Sequence, residues 1–480
     1  MGKTLVEKHR SSGMQMPHLY LLTKGENHMD ELEKLAGYIY RFQLEDAPPS
    51  VVRAAKYCVL DTVGAAMGAA RCEEIPQTAE EMSLWSKGAP EQSASIWGLG
   101  RKSDIFTAAL INGLMAHALE LDDMHTRSKT HVGSAVIPAA WAVAEATKAR
   151  GRDFLEAVIV GYETMARVGM GLDAFSHRNR GFHATGLFGT FGAAAAGAKL
   201  LGLDVGQIVN ALGMAGTQSS GLRAFLAEGS GCKKLHPGRA AANGLTAAVL
   251  SKAGMTGPSH ILDAEDGGLY RAAADSFDMS AVCRELGRTY EIMNIDKRLY
   301  PCCRSTHPAI DAALFLRRAH GAEASQIERI TIDTYSLGVL QCGFEHYPTS
   351  GADAKFSTAY VTAAAFVCGK VSREQFLPQA LKNPLIRQIA GNVSVRENAE
   401  FTKRYPHRRG CRMTVKLKNG DIRKKQVDDI TGSANAPLNP EQEMDKFMGL
   451  LASALEPEKA GMLAQALLAI DELKEMPRVF

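Results

Sequence analysis

Between His117 and Gly133 the chain reads HALELDDMHTRSKTHVG, which places three acids (Glu120, Asp122, Asp123) and three histidines (His117, His125, His131) within 17 residues. Carboxylates beside imidazoles suit proton transfer. A neutral histidine is a good general base near pH 7. A neighbouring carboxylate can orient it and fix its tautomer, or carry a proton itself if burial and like charge raise its pKa. The flanking segments are small, apolar and helical in pattern, so this polar island reads as a site rather than a surface loop.

Three further segments concentrate unusual polar residues. RGFHATG (180–186) sets His183 just ahead of a helix, and CKKLHPGR (232–239) carries Lys233 and His236. KRLYPCCRSTH (297–307) carries Lys297, Arg298, Cys303 and Arg304. Lys233, Arg298 and Arg304 suit the binding of substrate carboxylates, which Arg can hold in bidentate fashion. They also suit stabilisation of the enediolate-like charge that develops when a proton leaves a carbon α to a carboxylate. Each segment taken alone has a plainer reading: a helix-entry hydrogen-bonder, a solvated turn, a helix-end loop, buried thiols. Their co-occurrence in one chain favours chemistry. The short spacing of Asp122, Asp123, His125 and His131 also permits a metal hydrolase, which loss of activity with chelator would reveal. No cluster has closed metal-ligand spacing, no GxGxxG follows a strand and no GxxxxGK[ST] occurs, so neither metal nor nucleotide is expected.

The elements that must position these residues are mainly helices. Residues 1–28 read as a loosely held extension, with Met29 an alternative start. From there Leu32, Leu35, Ala36, Ile39 and Phe42 recur at helical spacing, and Pro48-Pro49 breaks the pattern. Helices follow over about 50–68, 106–120, 133–148, 153–171 (with Asp153 as N-cap) and 185–202. Glycine costs a helix roughly 1 kcal/mol against alanine, so the many glycines here point to close backbone packing. After about residue 270 the character changes. Ile327–Tyr335 alternates like a strand, and Asn419-Gly420 between 412–418 and 421–427 signals a type I′ hairpin. Residues 437–480 are helical again. The expected organisation is an all-helical domain built from 29–269 and 429–480, with a smaller α+β domain over 270–428.

Composition narrows the function classes. The 480 residues are 46% hydrophobic and 22% charged, with a net charge of +3, which gives no reason to expect nucleic acid. The nine cysteines are odd in number and scattered without CxxC, which fits a reducing compartment. No apolar run reaches membrane-spanning length and no signal peptide is evident, so a cytoplasmic protein off the membrane is expected.

Taken together, HALELDD with His131-Val-Gly, GFHAT, KKLHPGRAAANG and YPCCRSTH resemble the MmgE/PrpD family, in family order and from about residue 30 to the C-terminus. That family includes 2-methylcitrate dehydratase, cis-aconitate decarboxylase and iminodisuccinate epimerase. The resemblance implies a large all-α domain, a smaller α+β lid domain, a homodimer, and a site between the domains that needs no metal or organic cofactor. It marks Glu120, Asp122, Asp123, His131, His183 and Lys233 as site residues, with Lys297 or Arg298 and Cys303 from the lid. His125, His236 and Arg304 join them as substrate-binding candidates. The chain departs from the family pattern at Val132, where Pro is common, at Cys303, where His is common, and at Glu120, where the acid is usually one methylene shorter. A tyrosine of decarboxylase-like members falls near Val339, four residues from Tyr335. The expected activity is a lyase of the 2-methylcitrate dehydratase type on a di- or tricarboxylate. The alternatives are an epimerase on a dicarboxylate such as iminodisuccinate and, further off, a metal hydrolase or a non-catalytic binding protein.

Overall fold

The computed structural model describes residues 30–479 apart from 73, 87–91, 174–175 and 229; the expected extension over 1–28, and Met29, lie outside the described residues. The fold is mostly helical with a small sheet region in the C-terminal part. Leu32, Leu35, Ala36 and Ile39 form the buried face of the helix Glu31–Arg41. Pro49 then opens the helix Pro49–Ala69, since its missing N–H is not needed in a first turn. Helices Ile105–Ala118, Gly133–Thr147, Gly151–Met170, Ala184–Leu200, Val205–Thr217 and Leu235–Lys252 complete the body. Asp153 caps Gly151–Met170 from its third position, accepting from the Arg150 N–H at 3.3 Å, rather than standing at the N-cap as expected.

Small residues fix how these helices meet. A Cβ added at Gly113 would come within 2.8 Å of Gly238 Cα, so Ile105–Ala118 and Leu235–Lys252 touch backbone to backbone. That contact brings Lys233 and His236, at the head of the second helix, close to the end of the first, where the island begins.

Among the described residues there are two large hydrophobic cores and a small third cluster of Tyr335, Leu337 and Phe401. The first runs from Leu32 to Ile295 and takes in Phe447 to Val479; the second runs from Cys302 to Ile430. The change of pattern near 270 therefore falls inside the first core. Tyr270, Val282, Tyr290 and Ile292 belong to it although they sit on short helical turns with no long periodicity. The C-terminal helix Pro440–Leu451 packs on Pro49–Ala69, with Phe447 against Gly64.

The second core holds a four-stranded sheet in the order Val393–Glu397, Ile327–Thr334, Cys411–Leu417, Ile422–Val427. The first pair is parallel and the others antiparallel. Gly420 takes φ +90° at the hairpin turn. The edge strand Val393–Glu397 carries no sequence signal, because VSVRE is short and lacks a fully buried face. A two-residue ladder matters most for the site: Met124–His125 pairs antiparallel with Ile295–Asp296. It ties the island to the segment that leads into the second core.

Candidate active site

The island begins where the helix Ile105–Ala118 ends. Glu120 stands in the left-handed region at φ +59°, and Lys129 does so at φ +58°. Each such non-glycine residue costs roughly 1–3 kcal/mol, and strain of this kind clusters at functional sites. The Glu120 turn aims its carboxylate between two cations. Lys233 Nζ donates to Oε1 at 2.5 Å and Arg298 Nη1 donates to Oε2 at 2.7 Å. Burial works against the Glu120 charge, but Lys233, His117 and Arg298 outweigh it and hold the carboxyl well below its usual range.

Arg298 is the hub. It is 1% exposed. Its Nε donates to the Asp122 carbonyl at 3.0 Å, and its Nη2 lies 3.2 Å from Asp122 Oδ1. Asp122 Oδ2 meets His117 Nδ1 at 2.7 Å. Against burial, His117, His131 and Arg298 keep Asp122 ionised.

His131 Nδ1 lies 2.8 Å from the Asp123 carbonyl, which can only accept. A proton on Nδ1 satisfies this carbonyl and leaves Nε2 its lone pair, the state a general base needs. Arg298 Nη2 lies beside the same ring, 2.8 Å from Nδ1 and 3.2 Å from Nε2; of these two nitrogens only Nε2 is left to accept from it. His183 and His236 share a hydrogen bond between their Nδ1 atoms at 2.9 Å. The rings of His117, His131 and His183 lie 4.6–6.4 Å apart. Burial first, then Arg298 for His131 and Lys233 for His183, push both imidazoles well below the usual histidine range. His236 falls to about 4 through burial and the neighbouring His117 and Lys233. All three are neutral at pH 7.

The single-turn helix Gly231–Lys234 presents Lys233 to this cluster, and Cys303 approaches it from the second core. The Cys303 thiol is held below the ordinary thiol range by a hydrogen bond from Cys342, by the Ser305 N–H and by Lys233.

Four expected residues point elsewhere. Asp123 accepts from the Gly133 N–H at 2.9 Å and from the Tyr162 hydroxyl at 2.6 Å, inside the helical body. Lys297 donates to the Tyr57 carbonyl at 2.7 Å in the same region. His125 bonds Ser128 Oγ at 2.8 Å and Glu291 at 3.1 Å. Arg304 donates to the Lys297 carbonyl at 3.1 Å and lies 3.0 Å from His307 Nδ1, bracing the loop behind Arg298. In exchange the fold brings in residues outside the expected set. His117 Nε2 is buried without a hydrogen-bond partner, 3.9 Å from Glu120. Lys355 feels Glu120, Lys233 and Arg298, and burial lowers its pKa. Tyr335 donates to Ser305 Oγ at 2.9 Å and stacks on Tyr405. His117 is visible in the island and Tyr335 sits near the expected tyrosine; Lys355 carries no local signal.

Among the described residues, His117, His131 and His183 could converge on a metal ion, since one ring nitrogen from each lies within 4.8 Å of the others. The Arg298 guanidinium against His131 would oppose a dication there. The hydrolase set of Asp122, Asp123, His125 and His131 is not assembled, because Asp123 and His125 are bound elsewhere.

Residues 33–281 match the MmgE/PrpD N-terminal domain and residues 300–472 the MmgE/PrpD C-terminal domain. The chain belongs to the MmgE/PrpD family. It is 28% identical to a cis-aconitate decarboxylase-like protein of Aspergillus oryzae, over 91% of this chain and 94% of that protein. It is 26% identical to the cis-aconitate decarboxylase of Aspergillus terreus, over 90% and 91%. It is 25% identical to the 2-methylcitrate dehydratase of Cupriavidus necator, over 58% and 60%. A carboxy-lyase and a hydro-lyase among the relatives support a lyase-type reaction. Among the described residues, no helix is long and apolar enough to cross a membrane.

Proposed function

We propose that the protein is a lyase that removes a proton α to a carboxylate of a di- or tricarboxylic acid, with loss of water or carbon dioxide and without a metal or organic cofactor. It acts as a homodimer, with the second core as the lid over the cleft. The observation that carries this reading is the Lys233–Glu120–Arg298 bridge beside neutral His131 and His183.

In this reading a substrate carboxylate competes with Glu120 for Lys233 and Arg298. These two cations stabilise the enediolate-like charge as the proton leaves. The Asp123 carbonyl holds the His131 ring, and His131 takes the proton on Nε2 once Arg298 has turned from that nitrogen to the substrate carboxylate. In dehydration the proton taken from carbon ends on the departing hydroxide through the imidazole cluster, so that water is released. In decarboxylation the carboxylate leaves as carbon dioxide, its bond pair stays on carbon, and a proton from solvent relayed through His236 and His183 ends there. Asp122 keeps His117 oriented, so that the His117 Nε2 proton or lone pair faces the pocket. The two relatives that match over nine-tenths of the chain are a decarboxylase and a decarboxylase-like protein, which favours carbon dioxide as the group lost. Cys303 supports a second reading, epimerisation, because a thiol of lowered pKa is a second base where other members carry an imidazole.

The test is incubation of the pure protein with methylcitrate, citrate, cis-aconitate and iminodisuccinate in deuterated water, followed by proton NMR. Exchange with elimination or decarboxylation supports the lyase, and exchange alone with inversion supports the epimerase. Activity should survive exhaustive EDTA treatment. Stoichiometric metal lost together with activity would remove the reading.

A further inference from the structure

Three successive carbonyls of the island, those of Leu121, Asp122 and Asp123, each meet a side-chain nitrogen, at 2.8, 3.0 and 2.8 Å. Arg298 Nε serves Asp122 and His131 Nδ1 faces Asp123, and both of those side chains belong to the cluster around Glu120. The Leu121 carbonyl is held differently. Its donor is Lys446 Nζ, from the helix Pro440–Leu451, 325 residues further along the chain.

That helix packs on Pro49–Ala69, and the residue next to the lysine sets its register. A Cβ added to Gly64 would come within 2.8 Å of the Phe447 ring, so glycine at 64 lets the ring seat. The Lys446 side chain is 7% exposed, and its ammonium also donates to Asp61 Oδ1 at 2.5 Å. Asp61 stands on Pro49–Ala69, fully buried, and among the described residues its Oδ2 has no hydrogen-bond partner. A buried ammonium is costly without a counter-charge, and Asp61 supplies one. An ammonium has three donors. The one aimed at Leu121 adds nothing to the ion pair and reaches the island.

Leu121 stands between Glu120, at φ +59°, and Asp122. A non-glycine residue stays in the left-handed region only where its surroundings over-determine it. Fixing the Leu121 carbonyl fixes the direction in which the chain leaves the Glu120 turn. It thereby fixes the offset between the two carboxylates that share Arg298, Glu120 at 2.7 Å and Asp122 at 3.2 Å.

We propose that Lys446 is a positioning residue of the active site: its bond to the Leu121 carbonyl holds the Glu120 turn, so that Glu120 and Asp122 reach the same guanidinium. The helix Pro440–Leu451 then belongs to the active-site scaffold although it brings no group to the substrate. The proposal rests on the reading of the Glu120–Arg298 cluster as the active site. In the competing account Lys446 and Asp61 are a scaffold ion pair and nothing more.

The test compares Lys446→Met with Asp61→Asn in the full chain. The first removes the donor to Leu121. The second keeps an acceptor beside Lys446 and leaves the Leu121 bond in place. Amide hydrogen exchange read by peptide mass spectrometry needs no substrate. Lys446→Met should speed exchange about tenfold or more in the island, the scale of one charge-assisted hydrogen bond. The reporters are the amides of Glu120, His125 and Gly133, bonded to the His117 carbonyl, the Thr130 carbonyl and Asp123. The helix Gly151–Met170 should stay within about twofold of the wild type, and Asp61→Asn should leave the island protected. On whichever acid the wild type turns over, kcat per folded molecule should fall about tenfold to a hundredfold in Lys446→Met and stay within about twofold in Asp61→Asn. If Lys446→Met does not fold, Lys446→Met/Asp61→Asn replaces it, because it leaves no unpaired buried charge. Equal effects of the two single substitutions, an island as protected in Lys446→Met as in the wild type, or a faster island with unchanged turnover would overturn the proposal. The lyase reading fails separately: a wild type that turns over no acid removes it, and the exchange comparison still decides whether Lys446 holds the turn.

Discussion

Asp122 and Asp123 are neighbours in the chain, as are Lys297 and Arg298, and in each pair the two residues serve different regions. Asp122 and Arg298 meet at 3.2 Å, beside Glu120 and the histidines. Asp123 and Lys297 turn into the helical body with Asp61, Glu443 and Tyr162. The short ladder of Met124–His125 with Ile295–Asp296 holds the two pairs side by side, and the consecutive residues that flank it turn to opposite sides. The partners differ in kind as well. Asp123 and Lys297 bind the Gly133 N–H, the Tyr162 hydroxyl and the Tyr57 carbonyl, internal groups that no substrate displaces. Glu120 and His117 are left with groups an incoming anion can compete for or fill, including the orphaned His117 Nε2. In the proposed reading one cluster exchanges with a ligand and the other holds the bundle.

The sharpest way to break this comparison is to strike the first cluster and read rate against stability. His183→Asn should keep the fold and lower turnover by ~10²–10⁴. Lys233→Ala should lower kcat/KM by about 10²–10³. Both should leave the melting temperature nearly unchanged. If turnover is near normal in both once a substrate is in hand, the site lies elsewhere in the chain. The opposite pattern is expected at Lys297, which is 7% exposed and surrounded by acids. Lys297→Met removes one buried cation from beside those acids and leaves Lys446 paired with Asp61, so denaturant titration should show a loss of about 3–5 kcal/mol. Activity per folded molecule should persist. A catalytic collapse at full stability would place Lys297 in the first cluster instead.

How much of this is legible in the sequence follows from the same geometry. The island, the His183 turn, Lys233 and the Arg298 segment stand out because each is a local run of polar residues beside small apolar helices. The strand Ile327–Thr334 and the Asn419-Gly420 turn are legible from alternation and turn chemistry. The face each residue presents is not, since it depends on a ladder only two residues long between segments far apart in sequence. That is why Asp123, His125, Lys297 and Arg304 group with the site in sequence although they bind the scaffold. Lys355 and Lys446 escape notice for the converse reason. Each is a single basic residue in an ordinary stretch, and only tertiary packing carries it to the island.

A smaller effect separates the two thiols at the border of the cleft. Cys303 is held below the ordinary thiol range, whereas burial and the neighbouring Cys303 push Cys342 well above it. At pH 7 iodoacetamide should alkylate Cys303 before Cys342, because the thiolate is the nucleophile. Peptide mass spectrometry with time would show the order, and propane-1,2,3-tricarboxylate should slow the Cys303 reaction. Equal labelling would remove Cys303 as a candidate second base.

The smallest expected effect concerns the second cluster and reads its electrostatics directly. Asp123 is raised to about 6 by burial, with Asp61 adding to the rise and Lys297 opposing it. A carboxyl whose folded pKa exceeds its unfolded value takes up its proton earlier in the folded state. Its contribution therefore favours folding at low pH, and is lost as pH rises from the unfolded value near 3.8 through about 6. Moving such a midpoint by one pH step is worth roughly 1.4 kcal/mol. Asp123→Asn removes the titration while keeping an acceptor for the Gly133 N–H. The Tyr162 hydroxyl can turn to accept from the new amide. Stability measured against pH should therefore lose this upward component on acidification between pH 6 and pH 4, while carboxylates of lowered pKa, Glu120 and Asp122 among them, keep their opposite slope in both proteins. The informative quantity is the difference between the variant and wild-type curves. A difference that stays flat across that window would mean that Lys297 holds Asp123 ionised throughout, and the closed cluster would then be a charge-balanced pair rather than a proton-binding one.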